Sequence, residues 1–409
     1  MNRLLWLGCY SYLVIGIAHV IGGSVLEQLI DHYGMSYQAG GQWIMNQFLG
    51  FLVGTLFAPA LTAKVGKRGA VLIAMGVLTV SEAAYSLLLP WGLMLTVAPL
   101  AGIGFGMTEA VVGAMIIELM KGKASAMSRL ETFFGLGALV IPAAAAFLIQ
   151  QHVWQLSFPI LAAMAGISFV LWLTLSFGSL DDSLGPRTAA AAAEDRDGGL
   201  VNSAGARDAG ARSWLGYPAK ALPFLALSAV FFLLYVGMEM SFSNYLPSIL
   251  ITRTGMGEAN ATAALSLFWG MMVIGRLFAG LLADRMGHAV YLVTTAGGAA
   301  LAFVLMAILD QESGLLILTA LSGLCFSGIF GIALVYANGL LPGMTERTTS
   351  LLVALGGVGG AIFPRLTGWF MDRYTVQSTL WFIAVLVVMM VGVLLLLVAV
   401  GRKRKYAVT

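Results

Sequence analysis

The strongest constraint on this chain is a series of long apolar segments, each about as long as a bilayer is thick. A helix that crosses the hydrocarbon core needs about 20 mostly apolar residues. Only 10% of the residues are charged, against about 25% in ordinary soluble domains. Twelve segments meet the requirement and are numbered here as spans 1 to 12, near residues 4–30, 41–63, 68–90, 95–118, 130–150, 156–178, 221–250, 260–283, 288–309, 313–341, 349–371 and 376–400. Lipid offers no partner to backbone N–H and C=O groups, so every span is predicted to be helical.

One polar stretch divides the twelve spans into two sets of six. It contains a polyalanine run, mixed charges, and scattered Gly and Ser, so it cannot bury a core and is predicted to be a flexible linker. The predicted organisation is a six-helix bundle at 1–178, a linker at 179–220, a second six-helix bundle at 221–401 and a basic tail at 402–409.

The placement of Lys and Arg predicts the orientation. Eighteen of the 22 basic residues lie at the start of the chain, in the linker, in the tail or in one set of loops. The opposite loops hold Arg253 and Arg373 alone. Basic loops face the cytoplasm, so both termini and the linker are predicted to be cytoplasmic.

Composition also bears on partners. A net charge of +3 gives no reason to expect a nucleic acid partner. Cys9 and Cys325 lie in apolar segments and form no disulfide or metal-binding pattern. We expect a monomer in the lipid bilayer, with a small molecule as its substrate.

An internal repeat relates the two bundles. A shift of 221 residues superposes glycines from spans 1, 2 and 4 and from two loops, pairing Gly16 with Gly237, Gly34 with Gly255, Gly54 with Gly275, Gly66 with Gly287, and Gly102 with Gly323. Two six-helix bundles in the same orientation form a parallel repeat, which places a substrate site between them near the midplane. The predicted fold class is therefore an all-α membrane protein of twelve transmembrane helices in two bundles related by a parallel pseudo-two-fold axis.

The loop after span 8 carries a motif. It reads Gly280-Leu-Leu-Ala-Asp284-Arg285-Met-Gly287 and resembles the G-x-x-x-D-R-x-G signature of the major facilitator superfamily. The glycines allow tight helix packing and a sharp turn, and the two charges can form a cluster that holds one conformation closed. The residues predicted to form this conformational gate are Gly280, Asp284, Arg285, Gly287 and Arg276.

Three further stretches resemble the fucose–galactose–glucose proton symporter family, in particular its bacterial glucose or mannose permeases. They begin at Gly106 in span 4, Arg129 in span 5 and Tyr235 in span 7. The resemblance implies uptake of a sugar coupled to a cation, usually a proton, across the bacterial cytoplasmic membrane. Span 1 departs from the family pattern, because it carries His19 in its middle and Glu27 near its outer end in place of a deep aspartate.

Ionisable residues at membrane depth are costly and often functional. Glu109 in span 4 and Glu239 in span 7 are the leading candidates for proton coupling, followed by His19 and Glu131. Desolvation favours the neutral form of a carboxyl group, so protonation and sugar binding can be linked. Each residue also has a structural alternative: a protonated carboxyl bonded to a neighbouring helix, a satisfied buried histidine, or, for Glu131, an acid favoured by the helix dipole or a partner of Arg129 or Lys123.

Arg276 lies within span 8 and needs an anionic or carbonyl partner. Two partners are open to it: Asp284, two turns further on, or an acidic residue in the substrate cavity.

A sugar site needs amide and hydroxyl groups together with aromatic faces. The candidates for substrate binding are Trp43, Asn46, Gln47, Asn244, Tyr245, Tyr336 and Asn338. Hydrogen bonding between helices is the alternative role for each of these clusters.

The leading functional hypothesis is proton-coupled uptake of a hexose-like sugar by alternating access, with no cofactor and with sodium not excluded as the coupling ion. A proton-driven exporter of drugs or small metabolites is the nearest alternative. The absence of a Gly-Pro step before Pro142 counts against it, whereas 21 methionines keep it open. A membrane sensor would usually carry a sizeable soluble domain, and an enzyme would show a nucleophile, metal or phosphate-loop pattern. The sequence shows neither feature, so we expect neither a sensor nor an enzyme.

Overall fold

The computed structural model describes residues 2–119, 124–185, 217–341 and 345–406. Span 1 is Asn2–Tyr33, and spans 2 and 3 are joined in one helix, Tyr37–Ser86. Spans 4, 5 and 6 are Trp91–Leu119, Ala124–Gln150 and Ser157–Thr174. Spans 7 to 9 are Leu222–Thr254, Glu258–Met286 and His288–Ile308. Span 10 comprises Glu312–Phe326 and Ile329–Leu340, and spans 11 and 12 are Thr345–Arg373 and Val376–Tyr406. Most helices extend several residues beyond the predicted spans.

The number of spans agrees with the prediction. The described residues contain eleven helices long and apolar enough to cross a membrane. One of these, Tyr37–Ser86, is 50 residues long and contains a break at Gly66, where φ is +79° and ψ is 168°. That backbone conformation favours glycine and marks the turn between spans 2 and 3. The predicted fold class, an all-α membrane protein with six spans in each half, is therefore confirmed.

The limits of the predicted domains stay predictions. Residues 186–216, which form most of the predicted linker, and residues 407–409 of the tail lie outside the described residues. We call the end of the bundle that carries residues 185, 217 and the two chain ends the linker side, and the opposite end the far side.

Two glycine contacts show the internal repeat in three dimensions. In the first half, Gly102 of span 4 packs against the carbonyl oxygen of Gln47 in span 2. In the second half, Gly323 of span 10 packs against the carbonyl oxygen of Phe268 in span 8. A Cβ atom at either glycine would overlap that oxygen, so these helices approach as closely as only glycine permits. The shift of 221 residues that relates Gly102 to Gly323 also relates Gln47 to Phe268.

The two halves are joined on the far side by hydrogen bonds that cross between them. The Asp372 carboxylate at the end of span 11 accepts hydrogen bonds from the backbone N–H groups of Tyr37 (2.9 Å) and Gln38 (2.8 Å) at the start of span 2. An acid from one half thus caps a helix of the other, where the helix dipole favours negative charge. The Tyr245 hydroxyl adds a bond of 2.8 Å to the carbonyl oxygen of Tyr37.

Two acidic side chains extend this closure. The Ser248 hydroxyl of span 7 donates to Glu27 of span 1 at 2.5 Å, and the Gln28 amide donates to Glu258 of span 8 at 2.8 Å. Deeper in the same seam, Gly23 packs directly on the backbone of Asn244. The far side is therefore shut by polar and close-packed contacts between halves, called here the far-side closure.

Replacement of Asp372 by alanine is expected to open the far-side closure more often. The variant loses two hydrogen bonds to a charged acceptor, each worth roughly 1.5–3 kcal/mol. The buried position 244 reports opening when Asn244→Cys is placed in a Cys9→Ala, Cys325→Ala background and its reaction with a water-soluble maleimide is timed. We expect Asp372→Ala to raise the labelling rate about ten-fold or more.

Asp310 provides the matched control. Its carboxylate also lies on the far side but pairs with Arg253 of the same half, at 2.6 Å. Asp310→Ala should leave the labelling rate unchanged. Equal rates in Asp372→Ala and its parent would show that this cap does not hold the halves together.

Candidate functional site

A cavity of about 680 Å³ lies between the two halves. It extends from mid-depth toward the linker side, and the far-side closure shuts its other end. Spans 1, 2, 4 and 5 line it from the first half, and spans 7, 8, 10 and 11 line it from the second. Its polar lining includes His19, Glu109, Glu131, Thr132, Tyr235, Glu239, Trp269, Arg276 and Ser327. The volume lies within the range of small-molecule sites, about 300–1,000 Å³.

All four residues predicted to couple protons face this cavity. Glu109, Glu131 and His19 come from the first half, and Glu239 comes from the second. The structure thus brings together residues that are up to 220 positions apart in the chain. Their role in proton coupling stays a prediction.

Glu239 is held by a tyrosine one turn earlier in span 7. The Tyr235 hydroxyl oxygen lies 3.1 Å from Glu239 Oε1 and 3.1 Å from the carbonyl oxygen of Phe326. A hydroxyl group carries one hydrogen, so it cannot donate to both acceptors at once. Both contacts become hydrogen bonds when Glu239 is protonated and donates to Tyr235, which donates in turn to Phe326. The geometry therefore accommodates a proton on Glu239.

Glu109 is fixed through its backbone. The Tyr12 hydroxyl of span 1 donates to the Glu109 carbonyl oxygen at 2.9 Å, and Gly113 one turn later leaves room for the same hydroxyl. The Glu109 side chain is left facing the cavity, where it interacts electrostatically with Glu131 and Arg276.

His19 sits among aromatic rings rather than hydrogen-bonding groups. Its ring centroid lies between 5.1 and 6.0 Å from those of Phe48, Phe51, Phe105 and Phe134, all in edge-on geometry. Within the described part of the chain, its Nδ1 atom has no hydrogen-bond partner. The alternative of a buried histidine with satisfied hydrogen bonds is therefore not supported at this nitrogen.

Arg276 lines the same cavity as the acids. Its Nη2 atom contacts Met272 Sδ at 3.4 Å, and it interacts electrostatically with Glu109, Glu131 and Glu239. The other predicted partner, Asp284, lies instead 3.8 Å from His288 in the same helix–loop segment. Of the two partners open to Arg276, the structure favours the cavity acids.

The other gate residues lie on the linker side. Gly280 lines the cavity, whereas Asp284 is 79% exposed. Gly287 has φ of +84°, so it forms the sharp turn that the motif predicted. Arg285 follows Asp284 at the same surface. The gating role of this motif stays a prediction.

The seven residues predicted to bind substrate separate into three groups. Trp43, Gln47 and Asn244 converge on the backbone of span 1, where a Cβ atom at Gly22 would lie 3.3 to 3.8 Å from each of them. They are buried just beyond the far-side end of the cavity. Because Trp43 and Gln47 belong to the first half and Asn244 belongs to the second, the three residues remain candidates for contact with a substrate when the far side opens.

The remaining four make contacts between helices. Asn46 donates to the carbonyl oxygen of Leu95 at 3.0 Å, and Tyr245 belongs to the far-side closure. Asn338 donates to Thr349 at 2.9 Å, and the Tyr336 ring packs on Phe224. None of the seven is among the described residues that line the cavity. Their part in substrate binding stays a prediction.

Sequence reasoning missed three features of the site. These are the phenylalanine rings around His19, the hydroxyl of Tyr235, and the cap that Asp372 provides. Tyr235 lies one turn before Glu239, a spacing that could have revealed it. Asp372 lies at the far-side end of span 11, but its partner Tyr37 lies 335 residues away. No group of three or more His, Cys, Asp or Glu residues placed to hold a metal ion occurs in the described part of the chain.

Comparison with known proteins agrees with this architecture. Residues 8–313 match the family model of the Major Facilitator Superfamily. The glucose/mannose transporter GlcP of Bacillus subtilis (strain 168) is 28% identical over 386 residues, covering 94% of this chain and 92% of that protein. The inner membrane transport protein YnfM of Escherichia coli (strain K12) is 29% identical over 127 residues, which is 31% of this chain and 30% of that one.

Solved structures share the fold at low sequence identity. A D-xylose–proton symporter superposes with a TM-score of 0.76 at 12% identity, covering 95% of this chain and 96% of the other. The match with the family model, which takes in well over half of the residues, shows that this chain belongs to the Major Facilitator Superfamily of membrane transporters.

Proposed function

We propose that this chain is a secondary active transporter that takes up a hexose-like sugar together with a proton by alternating access. One observation carries the proposal: carboxyl groups from both halves, Glu109 and Glu239, face a single cavity that is shut on one side of the molecule. Such groups can bind a proton and a substrate in one compartment and release them in another.

The sugar is supported by the relatives. GlcP, which aligns with nearly the whole of this chain, is described as a transporter of glucose and mannose. Near the cavity, Trp43, Gln47 and Asn244 offer an aromatic face and two amides, the groups that bind sugar C–H surfaces and hydroxyls. The proton as coupling ion is supported by the contacts of Tyr235, which accommodate a protonated Glu239.

The orientation follows from the basic residues. We place the linker side in the cytoplasm of a bacterial cell, with the chain acting as a monomer in the cytoplasmic membrane, because basic loops are retained there. In this orientation the structure is an inward-facing state. The far-side closure then separates the cavity from the outside, and substrate leaves toward the cytoplasm.

Glu109→Gln is expected to disturb coupling more than binding. The amide is neutral at every pH, so it removes a proton acceptor from the cavity while nearly keeping the side-chain volume. In proteoliposomes we expect counterflow of labelled hexose to continue without its pH dependence, and accumulation driven by a proton gradient to fall at least ten-fold.

Glu118→Gln is the control on the same helix. Glu118 lies on the linker side, 57% exposed, and pairs with Lys67 of the same half at 2.7 Å. Its replacement should leave transport and its pH profile as in the parent. Hexose transport by Glu109→Gln that matches the parent at every pH would remove Glu109 from the mechanism.

A proton-driven exporter of drugs or small metabolites is the second candidate, and the apolar part of the cavity lining supports it. Aromatic and sulfur-containing side chains from both halves border the cavity, namely Phe48, Phe51, Phe134, Trp269, Phe330, Met127 and Met240. Cavities that accept varied apolar ligands are often built in this way.

A ligand-stabilisation screen separates the two candidates. Purified protein is heated with hexoses, small metabolites or lipophilic cations, and the unfolding midpoint is recorded for each. A ligand that binds only the folded state raises this midpoint in proportion to its occupancy. We expect a hexose to stabilise the protein and lipophilic cations to have no effect. The reverse pattern would favour the exporter.

A further inference from the structure

We propose that Glu131 of span 5 and Arg276 of span 8 form an ion pair between the halves when the linker side closes. The pair assigns Arg276 a positioning role: it stabilises the state open to the far side when Glu131 is ionised. This inference rests on the proposed alternating access, but not on the identity of the substrate.

The seam between spans 5 and 8 sets the register of this pair. Span 5 runs from the linker side toward the far side, and span 8 runs in the opposite direction. Toward the far side, the Ser266 hydroxyl donates to the carbonyl oxygen of Leu139 at 2.9 Å. Closer to the linker side, by one turn along span 5 and about two turns along span 8, Gly135 meets Val273, where an added Cβ atom would lie 2.7 Å from the valine side chain. The next turn of span 5 carries Glu131, and the next turn of span 8 carries Arg276.

In the present state the pair has not formed. Both side chains line the cavity and interact electrostatically, but no acidic group of the described residues lies within 4 Å of the Arg276 guanidinium. Its polar contact is with the sulfur of Met272, a weak acceptor. A cation at this depth gains much from a closer anion. The cavity therefore separates the side chains of Glu131 and Arg276, which lie about one turn beyond the Gly135–Val273 contact on their two helices.

Rocking of the halves would bring these charges together. Closure of the linker side moves span 5 toward span 8 at every turn on the linker side of the Gly135–Val273 contact. Glu239 belongs to the same half as Arg276, so rigid-body rocking leaves their relation unchanged. Glu131 and Glu109 belong to the other half, so their relation to Arg276 changes. Of these two, Glu131 lies on the helix that faces span 8 directly.

The charge state of Glu131 then sets the conformational preference. The ionised carboxylate pairs with Arg276 and favours the state with the linker side closed. A proton on Glu131 abolishes the pair and favours the state observed here. Other titratable and charged groups facing this pair are Glu109 of span 4, Tyr12 and His19 of span 1, and Tyr235 and Glu239 of span 7.

This preference has the sign that symport requires. A carrier that has bound an external proton is biased toward the inward-facing state. A carrier that has released its proton to the cytoplasm regains the pair and is biased to return outward. The pair would therefore assist the return of the empty transporter.

Labelling of Asn244→Cys tests the pair without any substrate. In the cysteine-free background, the maleimide reaction reports how often the far side opens. The thiolate is the reactive form of cysteine, so each rate is divided by that of a small free thiol at the same pH. We expect this relative rate to rise with pH in the parent, and to be about ten-fold slower without that rise in Glu131→Gln and Arg276→Gln. The charge-swapped variant Glu131→Arg/Arg276→Glu restores an ion pair, and we expect its rate to recover to within about two-fold of the parent.

Lys67→Gln is the matched control, because it breaks an ion pair on the linker side that lies within one half. It should label like the parent. All variants are first checked for a single symmetric peak in size-exclusion chromatography. If the swapped variant fails this check, the two single variants decide the question through their rates and pH profiles.

Single variants that label at the parental rate with the parental pH profile would overturn the proposal, as would a folded charge-swapped variant no faster than the single ones. The outcome is separable from the proposed function. The labelling pattern can hold while no hexose is transported, and hexose counterflow can be found while the pattern fails.

Discussion

A carboxyl group inside a membrane-spanning bundle must reach water, a counter-charge or a hydrogen-bond donor, and this requirement explains most of the arrangement seen here. Glu109, Glu131 and Glu239 satisfy it by sharing one cavity with Arg276. A single guanidinium cannot neutralise three carboxylates. At least two protons are needed for the cavity to be electrically neutral, which gives a physical reason for such a site to exchange protons with its surroundings.

The far-side closure and the cavity are two consequences of the same division into halves. Each half is packed through close glycine contacts that rocking does not disturb, such as that of Gly102 with span 2. The contacts between halves combine close packing, as of Gly23 on Asn244, with polar caps, as of Asp372 on a helix of the opposite bundle. Polar caps of this kind can exchange protein partners for water when they open, so their loss costs less than the exposure of an apolar core.

The fold could be predicted almost completely from the sequence, because apolar length, basic loops and a repeat of 221 residues each depend on the chain alone. The acidic residues of the cavity could also be predicted, because a carboxyl group such as Glu109 is conspicuous in an apolar helix. The polar residues chosen for substrate binding could not be sorted in this way. Asn338 and Gln47 are both amide residues in apolar spans, so the sequence does not distinguish them. In the structure Asn338 donates a hydrogen bond to Thr349, whereas Gln47 approaches the seam between the halves. The cap by Asp372 could not be predicted from the sequence, because it depends on how two helix ends that are distant in the chain meet.

The central claim is that Glu109, Glu131 and Glu239 border a wet passage, whereas the buried acid Glu82 does not. Glu82 in span 3 provides the comparison, because it is 1% exposed and is not among the described residues that line the cavity. The most direct measurement is modification of the purified protein by a water-soluble carbodiimide and an amine, quantified at each glutamate by mass spectrometry. The account predicts modification of Glu109 and Glu239 with little at Glu82. Protection of the first two, or equal modification of all three, would contradict it.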